Sequence, residues 1–472
     1  MCQPDDNDDN DDNDDNLASS TTNNDLPRVD AKPSHGEGNR RRLQRGFYWG
    51  AASLALWLVA TNMSMPYAQD KRNSLGCDSL CQGSMNSAKS TLTLVGATLV
   101  GRLSDSPVWD AYGGGRRVCL WLGLLATAVC LVLTSHASSL TRLWQSLLPQ
   151  VLQQNSSVIK ALFSDYHAQL DSPSSQRAYT AGLLGMVGGL AMMLGPIIGS
   201  SMLENIHQAT AMSLLALLLA ALCVAFVPSS PKNPMKRENN NNKNNRESPS
   251  THLWSMIDVP SARSPPALFL LACRLLSTLS YHIFTNISIP SLKQRFGFGP
   301  TEYGQFFSFI GFCYSVSQYA GPVLLRRATE DYRKHVFVMA VATISIGRYF
   351  ALATNDVYAM YAYYALAVLS TGVQSTLFAT DTSQVAPPDQ AGAFYGVVAT
   401  MEAGSGMIGP LVGGTLTKWN IGGTTLLGYQ VNVDTITAPL LATTGLTILV
   451  IIMVWFGYEP IVLSRISKRK TD

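Results

Sequence analysis

Long apolar segments, separated by short charged stretches, run through most of this chain. A helix needs about 20 apolar residues to cross the hydrocarbon of a bilayer. Twelve segments approach that length, at residues 47–67, 84–104, 117–135, 139–163, 178–200, 207–228, 266–290, 301–325, 335–354, 356–378, 391–416 and 435–458. In lipid, backbone hydrogen bonds are satisfied only in helices or closed barrels. Runs this continuous predict helices rather than alternating barrel strands.

Charge is scarce and unevenly placed, which favours a chain that lies in lipid. Charged residues make up 14% of the sequence, against roughly 25% in ordinary soluble proteins. Eight of the first sixteen residues are Asp, and the basic residues form short clusters. The net charge of +3 is too small to indicate nucleic-acid binding. The basic clusters are therefore interpreted as charges that flank membrane spans.

The apolar segments fall into two groups of six, so the predicted fold is an all-α membrane protein with twelve transmembrane helices in two six-helix bundles. An acidic, Asp/Asn-rich N-terminal tail, residues 1–45, is predicted to be disordered. The bundles occupy residues 46–228 and 265–458, joined by a flexible cytosolic linker at 229–264. A basic tail follows at 459–472. No signal peptide is expected, since the start is acidic rather than basic.

The distribution of Lys and Arg predicts the orientation of the chain. If both termini are cytosolic, the inner flanks and loops hold 21 basic residues and the outer loops hold six. Basic residues concentrate on the cytosolic side of membrane proteins. We therefore expect an integral multi-pass protein with both termini in the cytosol. The sequence leaves the choice between plasma membrane and endomembrane open.

An internal repeat relates the two groups of helices. The stretch from Gln176 to Gly199 matches the stretch from Gln390 to Gly413 at a constant offset of 214. The offset pairs Gly195 with Gly409, Pro196 with Pro410, and Gly199 with Gly413. Glycines let neighbouring helices approach closely, and a proline removes a backbone donor and kinks its helix. These six residues form a predicted helix-packing motif, placed in the fifth helix of each bundle.

The loop after the second apolar segment resembles a motif of the major facilitator superfamily. The residues are Gly101 and Asp105, followed by Gly115, Arg116 and Arg117. In that family the motif lies between helices two and three and forms a charge cluster that controls the change of conformation. The resemblance implies two bundles around a central cavity, in a monomer that carries a small solute. It also implies that Asp105 is the acidic member of the cluster.

A second set of residues resembles the proton-coupled drug antiporters within that superfamily. The helix-five motif Gly195-Pro196-x-x-Gly199, and Asp165 followed by Arg177, are typical of that branch. The stretch from Gln145 to Asp165 is most similar to organic-cation-transporter-like proteins of solute carrier family 22. The resemblance implies antiport, with protons as a partner. It extends over nearly the whole chain from Phe47 to Tyr458.

Three departures from the family pattern affect these expectations. The segment SPVWDAYGG separates Asp105 from Gly115, so Asp110 competes for the acidic role. The arginine of helix four falls at Leu147, which permits a transporter without proton coupling. The second half contains only an incomplete version of the loop motif, Gly321-Pro322 followed by Arg326 and Arg327.

Charged side chains within the apolar segments are candidate site residues, because charge at membrane depth is costly and often functional. Glu402 lies near the middle of the eleventh segment, and either exchanges a proton or neutralises a cationic substrate. Arg274 lies on the seventh segment and is its possible partner or an anion contact, with His282 on nearly the same face as a proton relay or a packing residue. Arg348 and Lys160 lie near helix ends, where snorkelling explains them.

The remaining motifs exclude several other functions. The spacing of the cysteines does not match a zinc site, and only Cys77 and Cys81 lie close together, as a disulfide outside the cytosol or as two free thiols. The sequence has no phosphate-binding loop and no HExxH motif. We therefore expect no metal, no cofactor and no enzymatic activity.

The sequence as a whole predicts a secondary active transporter that works by alternating access. Its partners are the lipid bilayer, protons and a small organic molecule, cationic or amphipathic. Two alternatives stay open at this point. One is an uncoupled facilitator, and the other is a non-transporting receptor or scaffold on a transporter fold.

Overall fold

The computed structural model describes residues 35–105, 108–109, 114–170, 174–228, 260–327, 332–385, 391–418 and 437–464. The chain divides into two units, Met1–Arg41 and Arg42–Asp472, and every contact given below lies within the second unit. The secondary structure of the described residues is helical. Of the predicted linker at 229–264, residues 229–259 lie outside the described residues. The same holds for residues 1–34 of the predicted acidic tail and residues 465–472 of the predicted basic tail.

Fourteen α-helices occur within the described residues. In chain order they are α1 His35–Met63, α2 Met65–Ser74, α3 Ser79–Asp105, α4 Gly115–Ser135, α5 Leu140–Gln145, α6 Asn155–Gln169, α7 Ser174–Met202, α8 Ile206–Phe226, α9 Pro265–Phe296, α10 Pro300–Arg327, α11 Arg333–Ala353, α12 Val357–Val385, α13 Ala391–Leu416 and α14 Thr437–Gly457. Two 3-10 helices, Leu148–Leu152 and Pro260–Arg263, and a π-helical turn, Tyr458–Leu463, complete the elements.

The first apolar segment forms two helices, and it begins earlier than the sequence predicts. Helix α1 starts at His35, so the last part of the predicted tail is helical. Arginine is a good helix former, and Leu43 is 2% exposed within a buried apolar cluster. Ser64 separates α1 from α2, which carries Pro66 in its first turn, where a proline is tolerated.

The fourth apolar segment is not the continuous helix that its hydropathy predicts. It consists of α5, the 3-10 helix Leu148–Leu152 and α6. Pro149 removes a backbone donor and clashes with the preceding turn, which favours an interruption of the α-helix at this point. A proline does not always have this effect, since four other helices of the described residues contain an internal proline, namely α7, α9, α10 and α13. After the 3-10 helix, the Nε2 of Gln154 donates to the backbone oxygen of Thr93 on α3 at 2.9 Å. We call residues 146–154 the helix break.

We call α1–α8 the first bundle and α9–α14 the second bundle. Two antiparallel helix pairs join these two groups, α3 with α13 and α7 with α10. Glycines lie at the closest points of both pairs. A Cβ on Gly83 of α3 would meet the backbone of Pro410, and a Cβ on Gly311 of α10 would lie 2.5 Å from backbone atoms of Met192 and Met193. Close backbone approach of this kind is typical of helix packing in membranes.

The helix-packing motif occupies equivalent positions in the two bundles. Gly195 and Gly199 of α7 lie against α1, where added Cβ atoms would meet Asn62 and Met63. Gly409 and Gly413 of α13 lie against α9, at His282 and Ile283. Each bundle thus packs its fifth helix on its first. We call these two contacts the glycine seams.

Six helices of the described residues are long and apolar enough to cross a membrane, by length and composition. They are Gly115–Ser135, Leu183–Met202, Ile206–Phe226, Pro265–Phe296, Arg333–Ala353 and Ala438–Leu463. Together with the fold, they support an integral membrane protein. The count of twelve spans stays a prediction, since α3, α10, α12 and α13 carry more polar or small residues.

Candidate functional site

Arg274 and Glu402 form an ion pair between the two helices that the sequence analysis singled out. The Nε and Nη2 atoms of Arg274 on α9 both lie 2.6 Å from Oε1 of Glu402 on α13. The two side chains are 25% and 37% exposed. The helices approach closely because α13 presents Gly406 and Gly409 to α9. The structure thus brings together two of the three predicted coupling residues.

A cavity of about 250 Å³ lies beside this ion pair, between α9, α12 and α13. Its walls are mostly apolar, and the guanidinium carbon of Arg274 lies 5.4 Å from the ring centroid of Phe378. The lining residues are Leu270, Leu271, Arg274, Ser375, Phe378, Ala379, Thr382, Phe394, Val398, Ala399 and Glu402. Apolar walls with a few convergent polar groups are typical of small-molecule sites.

His282, the third candidate, lies at the glycine seam of α9 and α13 rather than in the cavity wall. Its ring faces Gly406, and its Cβ lies where a side chain on Gly409 would be. The ring centroids of His282 and Tyr281 are 5.4 Å apart. These contacts with the glycines of α13 favour a packing role for His282. A proton-relay role stays a prediction.

The predicted conformational-switch loop contributes a charge pair between α4 and α6. Nε of Arg116 lies 3.2 Å from Oδ2 of Asp165, and Nη1 of Arg116 donates to the Ser104 hydroxyl at 3.0 Å. Arg117 donates to the backbone oxygen of Ala225 at the end of α8. Arg116 thus ties the end of α3 to the end of α6.

Other residues of that loop contribute less to the described geometry. A Cβ on Gly115 would meet the backbone of Ser104, so α4 begins close against the end of α3, whereas Gly101 has open space around it. The side chains of Asp105 and Arg177, and the whole of Asp110, lie outside the described residues. The acidic role implied for Asp105 therefore stays a prediction.

The second bundle has a corresponding cluster that the sequence analysis missed. Asp381, at the end of α12, is 0% exposed and accepts a hydrogen bond from the Tyr458 hydroxyl at 2.7 Å. Nη1 of Arg333, at the start of α11, lies 3.8 Å from Oδ1 of Asp381. Adding the repeat offset of 214 to Asp165 gives position 379, close to Asp381. That offset was the signal that could have revealed the cluster.

Arg348 is buried, which corrects the prediction that it snorkels to a helix end. It is 6% exposed, and its Nη1 donates to the Ser280 hydroxyl on α9 at 3.0 Å. Its guanidinium carbon also lies 5.7 Å from the ring centroid of Tyr281 and 5.5 Å from that of Phe284. Hydropathy places Arg348 near the end of α11, but the side chain turns inward to the face of α9.

Polar contacts close one end of the molecule, which we call the closed end. Among the described residues, four side-chain pairs join the bundles there, namely Lys293 with Asp70 at 2.8 Å, Lys418 with Asp78 at 3.9 Å, Asn86 with Asn286 at 3.2 Å, and Asn73 with Tyr303 at 3.5 Å. A disulfide joins Cys77 to Cys81 in the connection between α2 and α3, with Cα atoms 5.3 Å apart. The cavity is lined by the first halves of α9 and α13, so it lies toward the opposite end.

Comparison with known proteins agrees with this architecture. The family model described as Major Facilitator Superfamily matches residues 49–410. The chain is similar in structure to the human organic anion transporter MFSD10, with a TM-score of 0.57 and 18% identity over 87% of this chain and 99% of that one. It is also similar to the nucleoside transporter NupG, with a TM-score of 0.58 and 13% identity over 88% and 98%. At such identities these likenesses show the fold alone. No curated protein matches the sequence.

Proposed function

The chain belongs to the major facilitator superfamily, and from this premise we propose that it is a proton-coupled secondary transporter of a small organic solute. The family and the solved transporters of the same fold support a membrane transporter rather than an enzyme. The observation that carries the finer proposal is the Arg274–Glu402 pair in the wall of an apolar cavity. Organic anions and nucleosides, the cargo in the names of those two transporters, are both small organic solutes.

In the proposed mechanism, proton and cargo share one ion pair. Protonation of Glu402 removes its charge and frees Arg274, which is held at 2.6 Å when the carboxylate is ionised. A buried or half-buried charge without a partner is costly, so the freed group favours a new partner or a new conformation. A cationic cargo would compete with the proton for Glu402 and give antiport. An anionic cargo would bind Arg274 and give symport.

In the proposed alternating-access cycle, the closed end corresponds to one of the two states. Contacts between the bundles seal that end, while the cavity lies toward the other. The Lys and Arg distribution favours termini in the cytosol. On that orientation the closed end faces outward, and the cavity is reached from the cytosol.

Substitution of Glu402 tests the proton role. We expect Glu402→Gln in proteoliposomes to lose most of the uptake that a pH gradient drives, because the amide cannot exchange a proton. Exchange of solute without a gradient should persist. The control is Glu459→Gln, since Glu459 pairs with Lys334 at 3.3 Å on the surface and lies outside the cavity. Full gradient-driven uptake by Glu402→Gln would exclude the proton role.

The short Arg274–Glu402 distance also favours a second candidate, an uncoupled facilitator. In this alternative, Glu402 stays ionised and paired with Arg274 at 2.6 Å throughout the cycle, so it stabilises the helix contact and does not carry a proton. A facilitator predicts solute flux that is unchanged when a protonophore collapses the proton gradient. The coupled transporter predicts that accumulation stops under the same treatment.

A further inference from the structure

The ion pair of Arg274 and Glu402 leaves part of each charged group free. Both short distances between the two side chains end on Oε1 of Glu402. Among the described residues, no hydrogen bond or ion pair uses Oε2 of Glu402 or Nη1 of Arg274. Both residues line the cavity, and their side chains are 25% and 37% exposed. The pair therefore has a free negatively charged acceptor and a free positively charged donor side by side in the cavity wall.

The rest of the cavity is apolar and small. Among the described lining residues, only Arg274 and Glu402 are charged, and the apolar side chains around them include Leu270, Phe394 and Val398. The volume of about 250 Å³ lies below the roughly 300–1,000 Å³ of sites for drug-sized ligands. We therefore expect the ligand of this site to be a small molecule with an apolar part.

The electrostatics of the pair favour a ligand without net charge. A cationic ligand that binds Glu402 leaves the charge of Arg274 uncompensated, and an anionic ligand that binds Arg274 does the same for Glu402. An uncompensated charge is costly between apolar walls. A ligand with one positive and one negative group satisfies both side chains at once. Because the two side chains are in contact, the two charges of the ligand must be neighbours as well.

Helix α12 contributes an aromatic ring and two hydroxyl groups to the site. The guanidinium carbon of Arg274 lies 5.4 Å from the ring centroid of Phe378, which is within the range of a cation–π contact. Ser375 and Thr382 line the cavity and are seven residues apart, so they share one face of the helix. A hydroxyl donates to a carboxylate or accepts from an ammonium group. The cavity thus has neutral partners for either charge of the ligand, in addition to the ion pair.

We propose that this cavity binds a free α-amino acid with an apolar side chain, in its zwitterionic form. The ammonium group donates to Oε2 of Glu402, and the carboxylate accepts from Nη1 of Arg274, by charge-assisted hydrogen bonds. The apolar side chain lies against Leu270, Phe394 and Val398. This inference rests on the proposed transport function and specifies its cargo. Since the ammonium group and a proton compete for the carboxylate of Glu402, coupling to protons gives antiport.

Three ligands that share a phenyl group test whether both charges are recognised. The probes are L-phenylalanine, phenethylammonium, which lacks the carboxylate, and 3-phenylpropanoate, which lacks the ammonium group. Ligand-dependent thermal stability of the purified full-length protein in detergent gives their dissociation constants. We expect L-phenylalanine to bind about tenfold or more tightly than either analogue, because each analogue loses one charge-assisted hydrogen bond. Absence of stabilisation by L-phenylalanine, or equal or tighter binding of one analogue, would overturn the proposal.

Substitution of each charged residue should reverse this preference in opposite directions. With Glu402→Gln, Arg274 keeps its charge, so 3-phenylpropanoate should bind more tightly than L-phenylalanine. With Arg274→Gln, phenethylammonium should bind more tightly instead. The matched controls are Glu459→Gln and Lys334→Gln, which remove an ion pair at 3.3 Å outside the cavity lining and should bind like the wild type. A wild-type preference in both cavity variants would show that the pair only supports the helix contact. If a variant does not fold, the ligand series on the wild type still decides.

Binding measured in this way does not depend on coupled transport. If L-phenylalanine is preferred but a protonophore leaves its uptake unchanged, the proton role of Glu402 fails and the amino-acid site stands. If a protonophore stops the accumulation of either analogue while L-phenylalanine does not bind, the transport proposal stands and the amino-acid site fails. Because Glu402→Gln weakens the binding of L-phenylalanine, its exchange without a gradient is measured at a correspondingly higher concentration of the amino acid.

Discussion

At the scale of single residues, the second bundle contains two buried charges whose surroundings differ. Arg348 has one hydroxyl partner and two aromatic rings. Asp381 has the Tyr458 hydroxyl at 2.7 Å and Arg333 at a longer 3.8 Å. Its Oδ1 has no hydrogen-bond partner among the described residues. The Tyr458 hydroxyl is therefore the strongest contact that Asp381 has there.

Removing that hydroxyl should destabilise the protein measurably. We expect Tyr458→Phe to lower the free energy of unfolding by about 1–3 kcal/mol, because a buried carboxylate loses a hydrogen bond. The matched control is Tyr332→Phe, since Tyr332 is 64% exposed and should tolerate the change. Thermal unfolding followed by tryptophan fluorescence provides the measurement. Equal melting temperatures for the two variants would contradict this account.

At the scale of elements, the helix pairs between the bundles depend on glycines that allow backbone contact. Gly311 of α10 lies against the backbone of α7, while Gly404 of α13 has open space around it. Backbone atoms cannot move aside as a flexible side chain can. A single methyl group at position 311 must therefore push the two helices apart.

Alanine substitutions at these two positions should show whether the effect comes from the backbone contact at Gly311 or from the loss of any glycine. Gly311→Ala is expected to slow solute exchange and to lower stability by about 1–3 kcal/mol, the usual cost of overpacking. Gly404→Ala should have little effect on either. Exchange rates in proteoliposomes and melting temperatures in detergent provide the comparison. Similar behaviour of both variants would show that the α7–α10 contact does not limit the transporter.

The apolar helices and the two glycine motifs could be predicted from the sequence, because the length of the apolar segments and the internal repeat indicate them. The Arg274–Glu402 pair was predictable, since both are isolated charges on segments that share a cavity in the family. The helix break was missed because hydropathy averages over Pro149 and its amides. Arg348 was misjudged, because a linear sequence does not show which neighbouring helix a side chain faces.

At the scale of the whole molecule, the closed end is held by contacts that differ in strength. The ion pairs of Lys293 and Lys418 are partly exposed, and such pairs contribute about 0–1 kcal/mol each. The amides of Asn86 and Asn286 lie deeper along α3 and α9 and join the bundles at 3.2 Å. An end sealed by weak contacts can open during a transport cycle.

A disulfide engineered at the amide pair should trap this state. In a background whose free cysteines are serine, Asn86→Cys with Asn286→Cys is expected to cross-link under mild oxidation and to abolish transport. Reduction should restore it, which also serves as the internal control. A fully cross-linked protein that still transports at the normal rate would show that the closed end does not open in the cycle.

The glycine seams have a consequence for the ancestry of the chain. Gly195 and Gly199 allow α7 to pack on α1, and Gly409 and Gly413 allow α13 to pack on α9. Each half of the chain therefore contains the same contact between its first and fifth helices. A half-length ancestor with this sequence motif would already have had the contact between its first and fifth helices. After duplication and fusion of its gene, new helix contacts would have been required only between the two copies.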